Sequence, residues 1–205
     1  MRNIFKKFFS VDKISLISKF LEKKNPTILE IGVHKGQFSK LLFENFKPKK
    51  LVLVDPWKAF KQPIYQNSWY GNKDKSAQIK QNQYYNNLNK LFKIEISKKN
   101  IILKRQTSDH FFKKNKMKFD LIYIDGNHLK NYVKRDIKNS LKFLNKDGLI
   151  VLDDYAMTGW WKDGVTKAVK YMKKKGLVKI LAKHSFLSYH HQCIIRPSNL
   201  NLNDD

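Results

Sequence analysis

The chain has 205 residues, 41% of them hydrophobic and 13% aromatic, which is enough to bury a core and too apolar for a disordered chain. Its one cysteine, Cys193, excludes a disulfide framework and a cysteine-held zinc cluster. The net charge of +25 attracts polyanions in general, but only Arg2, Arg105, Arg135 and Arg196 among the 42 basic residues are arginine. The lysines are spread along the chain, which fits compositional drift better than a dedicated nucleic-acid face.

The N-terminal stretch MRNIFKKFFSVDKISLISKFL is basic and amphipathic. It has no long apolar run and no cleavage site, so the sequence predicts a cytoplasmic chain without signal peptide or membrane span. FKKFF sets Lys beside Phe, which leaves a weak peripheral contact with anionic membranes open.

In chain order, Val11 to Lys24 is expected to form a helix with Ile14, Leu16, Ile17, Phe20 and Leu21 on one stripe. Asn25-Pro26 stops it. Thr27 to Ile31 reads as a buried strand, Gln37 to Phe46 as a helix, and Leu51 to Asp55 as the second strand. The alternation then breaks. Residues 56–93 form a long insert rich in Trp, Tyr, Gln and Asn, helical from Ser76 to Phe92. It suits either a lid over a site or an ordinary crossover with a long polar loop.

Ile101 to Arg105 is the third strand, followed by a short helix over Asp109 to Lys116 capped by Ser108. Leu121 to Asp125 is the fourth strand, Tyr132 to Leu144 a helix, and Leu149 to Asp153 the fifth strand. A helix from Gly164 to Lys175 and two strands, Leu177 to Ala182 and Gln192 to Arg196, complete the pattern. Residues 197–205 read as a loose tail. This order predicts a single doubly wound α/β domain over residues 1–205, with a mostly parallel seven-stranded sheet and helices on both faces.

Such sheets bind ligands outside the carboxyl ends of their strands, and those ends carry the chemistry here. ILEIGVHKG places Glu30, Gly32 and Gly36 in the spacing E-x-G-x-x-x-G. Gly32 lets the chain leave the strand tightly, and Gly36 lets a ligand approach the backbone at a helix start. The spacing is neither G-x-G-x-x-G nor the phosphate-cradling G-x-x-x-x-G-K-[ST]. Asp55 closes LVLVD, where a carboxylate can accept both ribose hydroxyls of an adenosine; a helix cap or a surface acid is the plainer role.

Asp125 and His128 end LIYIDGNH, and Asp153 with Asp154 end LIVLDDY. Three neighbouring carboxylates repel unless protonated or bridged by a cation, and hard oxygen ligands suit Mg²⁺, Mn²⁺ or Ca²⁺. His128 titrates near neutrality and is a candidate base. The plainer roles are a loop cap for Asp153, a lysine pair for Asp154 and a helix cap for His128. For Asp136 a pairing with Lys or Arg is expected. Trp160 and Trp161 fit either a wall for a ring-shaped acceptor or a closure of the core.

Taken together, these residues resemble the class I S-adenosylmethionine-dependent methyltransferases from Pro26 to Arg196. The resemblance is closest to the branch of sugar and small-molecule O-methyltransferases with an IDGxH…DDY signature. Here that string stands as Ile124 to His128, Asp136, Asp147-Gly148, Asp153-Asp154-Tyr155, Gly164-Val165 and Ala168-Val169. It implies a Rossmann-like methyltransferase fold and S-adenosylmethionine as cofactor. Glu30, Gly32 and Gly36 would face the methionine part, Asp55 the ribose, and Thr107 with Ser108 the adenine edge, with Asp125 counted among the cofactor residues. It further implies a divalent ion on Asp125, Asp153 and Asp154, His128 and Asp125 as catalytic residues, and a hydroxylated small molecule as acceptor. An RNA or other polyanion methyltransferase, suggested by the charge, and a non-catalytic adenosine-binding module are the alternatives.

Overall fold

A computed structural model describes residues 13–72, 74–186 and 190–198. A seven-stranded sheet runs β3-β2-β1-β4-β5-β7-β6. The strands are β1 (Thr27–Ile31), β2 (Lys50–Asp55), β3 (Ile101–Arg105), β4 (Phe119–Ile124), β5 (Leu144–Leu152), β6 (Val178–Phe186) and β7 (His190–Pro197). All pairings are parallel except those of β7, which is antiparallel to both β5 and β6. The doubly wound, mostly parallel, Rossmann-like sheet expected from the sequence is therefore the observed one.

The helices are α1 (Gln37–Phe46), α2 (Ala77–Leu91), α3 (Lys93–Ser97), α4 (Ser108–Lys114), α5 (Lys130–Lys142) and α6 (Gly164–Lys174). Successive residues of a strand point to opposite faces of a sheet, and this sorts the core into two layers. Leu29, Val52, Ile122, Ile150 and their neighbours pack against Phe111 and Phe112 of α4, Val133 and Ile137 of α5, and Val165 and Val169 of α6. Ile28, Leu51, Leu53, Leu121, Tyr123 and Val151 pack on the other face against Ile14, Ile17, Leu42 of α1 and Leu88 of α2. Cover on both faces is what an all-apolar parallel strand requires.

The same alternation carries Glu30, Asp55, Asp125 and Asp153 to the second face, in phase with Ile28, Leu53, Tyr123 and Val151. The carboxylates at the strand ends thus share one side of the sheet, under α1, the insert and the N-terminal segment.

Several boundaries differ from the sequence expectation. The leading helix covers residues 13–18 of the described chain and not the run to Lys24; positions 11 and 12 lie outside the described residues. Its last turn tightens, with Lys19 N shared between Ser15 O and Leu16 O at 3.3 Å and Phe20 N on Ile17 O at 3.0 Å. Leaving the helix there lets Leu21 turn into the core. β5 begins at Leu144 and pairs with Phe119 before a register shift near Leu121. β6 and β7 form a longer hairpin than the two short expected strands. Residues 199–205 of the expected tail lie outside the described residues. Among the described residues no helix is long and apolar enough to cross a membrane.

Candidate cofactor and acceptor site

The glycine turn is built by its neighbours. Gly32 leaves β1 at φ +86° and donates to Val54 O at 2.9 Å. A Cβ there would lie 2.1 Å from the carbonyl oxygen of Asp125, so β1 and β4 approach at their ends only because this residue has no side chain. Gly36 starts α1 at φ +72°. The space beside it, expected to admit a ligand, is filled by Leu88 of α2, whose Cδ2 lies 2.1 Å from where a Cβ would stand.

Asp55 ties this turn together. Its Oδ2 accepts from Val33 N and His34 N, both at 3.0 Å, and its Oδ1 accepts from Trp57 N at 2.6 Å. Burial raises its pKa, and these backbone donors, with Arg105 nearby, oppose that. A carboxylate offers about four acceptor positions, and three are taken, so one remains for a ribose hydroxyl. Glu30 lies beneath, 1% exposed, with Ser39 Oγ of α1 donating to its Oε2 at 2.5 Å. Burial among Asp125, Asp55 and Asp153 holds its carboxyl well above the usual range.

At the start of α4 the cap is one residue earlier than the expected Ser108. Thr107 is the cap, its Oγ1 accepting from His110 N at 3.3 Å. The Ser108 hydroxyl donates to Asp136 Oδ1 of α5 at 2.6 Å. This corrects the expected pairing of Asp136 with a basic residue: its neighbour Arg135 binds Asp109 instead, at 2.6 Å. Asp136 is 3% exposed, and burial pushes its pKa up to about 7, the Ser108 bond opposing.

An acid whose folded pKa exceeds its unfolded one is stabilising when protonated, so stability falls as pH rises from about 4 to about 7 and stays low above it. Asp136→Asn keeps the acceptor for Ser108 and removes the charge. It should raise stability above pH 7, by up to an order of 4 kcal/mol, and leave it unchanged near pH 4. Urea melts at the two pH values check this; an Asn variant less stable at pH 8 would contradict it.

The second part of the site lies at the ends of β4 and β5. His128 Nε2 stands 3.3 Å from Asp125 Oδ1 and 3.3 Å from Asp154 Oδ2, buried and without a directed hydrogen bond among the described residues. Gly164 makes this placement possible: a Cβ on it would meet His128 O at 2.3 Å, so α6 begins hard against the His128 turn. One ligand atom from each of Asp125, His128 and Asp154 lies within 4.8 Å of the others.

Burial alone would lower the His128 pKa, but Asp125, then Asp154 and Asp153, outweigh it and raise it. Burial and the Asp153 charge push Asp125 up to about 6, with His128 opposing. Asp154 is raised by burial and by Asp153. Asp153, expected to join Asp125 and Asp154 around a cation, is held elsewhere. Both its oxygens are bound by Lys13 Nζ, at 2.7 and 2.5 Å. That ammonium, helped by the nearby Tyr123 hydroxyl, outweighs burial and keeps the carboxyl below its ordinary value.

Aromatic side chains from two loops roof this cluster. Trp161 packs on His128 at 4.9 Å between ring centroids and on Trp160 at 5.7 Å. Trp160 meets Tyr65 at 5.6 Å and Tyr70 at 5.8 Å, both from the insert. Asn127 Nδ2 donates to the Tyr65 hydroxyl at 3.0 Å. The Tyr70 hydroxyl and Trp161 Nε1 are buried without a partner among the described residues. Burial and the nearby Tyr65, Asp55 and Asp125 raise the Tyr70 pKa. The insert is fastened at its base by Trp57, whose Nε1 donates to His34 O at 2.9 Å, and by Gln78 Nε2 on Trp57 O at 3.0 Å.

Sequence reasoning brought together Asp125, His128 and Asp154 and missed Lys13. No local signal marks a lysine whose partner lies 140 positions away. The insert tyrosines were visible as an aromatic-rich stretch, but their contact with Trp160 belongs to the tertiary fold.

Comparison with known proteins agrees with this geometry. A family model described as a methyltransferase domain matches residues 29–155. No curated protein matches the chain. Among solved structures, the N-methyltransferase NodS from Bradyrhizobium japonicum WM9 is similar at 15% identity and a TM-score of 0.63, covering 95% of this chain and 97% of that one. NodS in complex with S-adenosyl-L-homocysteine aligns at 14% identity and 0.60, over 94% and 87%. A methyltransferase from Pyrococcus furiosus aligns at 13% and 0.59, over 91% and 81%. At such identities the likeness speaks for the fold, and the family match covers more than half of the sequence. The chain belongs to the methyltransferase-domain family and is an S-adenosylmethionine-dependent methyltransferase.

Proposed function

We propose that the chain transfers a methyl group to the hydroxyl of a small ring-shaped acceptor, a sugar or a phenol. The observation that carries this reading is His128 Nε2, set between two carboxylates at the ends of β4 and β5 and roofed by Trp161. S-adenosylmethionine supplies an electrophilic methyl group on sulfur. Asp55 would bind its ribose, and the Gly32 turn with Glu30 beneath it would face the methionine end, whereas the space at Gly36 is taken by Leu88.

The remaining chemistry falls to the acceptor side. Neutral His128 takes the hydroxyl proton at Nε2 as the oxygen attacks the methyl carbon and the carbon–sulfur bond breaks. Asp125 and Asp154, each 3.3 Å from Nε2, would balance the charge of the imidazole once it is protonated. Positioning carries much of the acceleration, and the aromatic roof supplies it by packing on a ring face. The hydroxyl of Tyr70 and the indole N–H of Trp161 offer unpaired polar atoms to that ring's substituents. The insert would act as a lid, since Tyr65 and Tyr70 close it on Trp160 of the loop after β5.

A divalent cation fits the same place. Asp125 and Asp154 give hard oxygens and His128 an imidazole, a set suited to Mg²⁺ or Mn²⁺. Bound there, a cation would lower the pKa of the acceptor hydroxyl, and it would compete with the proton for His128 Nε2.

Transfer of labelled methyl groups to a panel of sugars, phenols and RNA, with and without EDTA, tests the proposal. Label on a sugar or phenol supports it. Label on RNA alone would replace it with the polyanion reading that the +25 charge allows. Turnover that survives chelation would assign the proton to His128 without a cation.

A further inference from the structure

Three carboxylates meet at the ends of β4 and β5, and one cation of the chain itself is already among them. Lys13, in the N-terminal helical segment, places Nζ 2.7 and 2.5 Å from the two oxygens of Asp153. The side chains are only 11% and 10% exposed. An ammonium this shielded is costly unless it is paired. Here the charges of Asp153, Asp125 and Asp154 all favour it, and its pKa is raised although burial opposes that.

Asp153 is occupied in return. Besides Lys13 it accepts from Asp154 N at 3.1 Å, and the nearby Tyr123 hydroxyl favours its charged form. Tyr123 is fixed from behind by Gln192 Nε2, at 3.0 Å. The Phe38 ring lies 5.9 Å from the ammonium. Asp153 thus faces a built cage, whereas Asp125 and Asp154 face an imidazole nitrogen without a directed partner.

We infer that Lys13 is the resident cation of this cluster and divides it in two, binding Asp153 and leaving a divalent ion only Asp125, His128 and Asp154. The third acid, Asp153 of the DDY run, anchors the N-terminal segment across the second face of the sheet. Lys13 is a positioning residue in this account. The inference rests on the cation reading of the proposed function, but its test needs neither methyl donor nor acceptor.

Binding of Mn²⁺ to the full chain, read by the paramagnetic resonance of the free ion, provides that test. Lys13→Met removes a like charge and frees a hard ligand, so Mn²⁺ should bind at least about ten-fold tighter than to the parent protein. The gain should vanish in Lys13→Met/Asp153→Asn. Equal or weaker binding in Lys13→Met, including no binding in either protein, would overturn the inference. So would a gain that survives the second substitution.

A measurement on the unaltered protein guards against a misfolded variant. Under limited acetylation read by mass spectrometry, Lys13 should be protected relative to Lys40, which is 55% exposed, and should stay protected when Mn²⁺ is added. Labelling at the surface rate without the ion would mean that Asp153 does not hold Lys13, and exposure on adding Mn²⁺ that the ion displaces Lys13 and recruits Asp153; either result overturns the inference. If the parent protein binds no Mn²⁺ but Lys13→Met does, the resident-cation inference stands and the cation falls out of the proposed function.

Discussion

Gly32→Ala is expected to be the most damaging single-atom-scale change in the chain. At φ +86° an alanine is strained whatever space surrounds it, and its methyl would lie 2.1 Å from the Asp125 carbonyl oxygen. That neighbour is backbone at the end of a buried strand and cannot swing aside. Strain and overpacking together should cost on the order of 3–5 kcal/mol. For a chain of this size that lowers the melting temperature by about 10 °C. Asp125 would be displaced as well, so cofactor affinity and turnover should both fall.

Gly36→Ala is the informative contrast. It also sits at positive φ, +72°, but what it meets is the far end of the Leu88 side chain, which can rotate. Its cost should be nearer 1 kcal/mol. Calorimetric melts of the two variants decide the matter. Equal losses would mean that the contact between the ends of β1 and β4 is not what Gly32 serves.

His128→Gln should have the largest effect on chemistry. Glutamine keeps a polar end of similar reach but cannot take a proton near neutral pH. Loss of a positioned base should lower turnover about 10²- to 10⁴-fold. S-adenosyl-L-homocysteine binding should stay within about two-fold, because the side chain lies on the acceptor side of the site. Asp125→Asn should also lower turnover, but it should weaken cofactor binding too, since Asp125 backs onto Gly32. A His128→Gln enzyme with full turnover on the acceptor found by the panel would remove the base from the account. One that lost cofactor affinity instead would move His128 into the cofactor pocket.

The parts of this site that were legible in the sequence share a cause. Short apolar strands ending in Asp55, Asp125 and Asp153 announce a parallel sheet and place those acids at one edge, because strand direction and period are local properties. The glycine turn after Glu30 and the helix beginning at Gly164 were legible for the same reason. What the sequence hid depends on distant partners. Asp153 was grouped with Asp125 and Asp154 because it is adjacent to one and aligned with the other. Lys13, which claims it, comes from the opposite end of the chain.

Asp136 reads in the sequence as a mid-helix acid with a Lys or Arg partner, yet α4 packs close enough for Ser108 to reach it. Capping of α4 by Thr107 in place of Ser108 is a one-residue shift at a helix start, where boundaries are least determined by pattern. The insert announced its aromatic content and its helix. Its clasp on Trp160, through Tyr65 and Tyr70, is a contact between loops 90 residues apart that no periodicity encodes.

The central claim is that the ends of β1 and β2 hold an adenosine cofactor through the Gly32 turn and Asp55. The measurement that tests it most directly is calorimetric titration of S-adenosyl-L-homocysteine into the parent protein and into Asp55→Ala. The substitution removes the ribose acceptor and also frees Val33 N, His34 N and Trp57 N, so about 2–3 kcal/mol of binding should be lost. Micromolar binding by the parent, weakened roughly 30- to 100-fold in a still folded Asp55→Ala, is the expected result. No binding to the folded parent, or equal affinity in the two proteins, would contradict it.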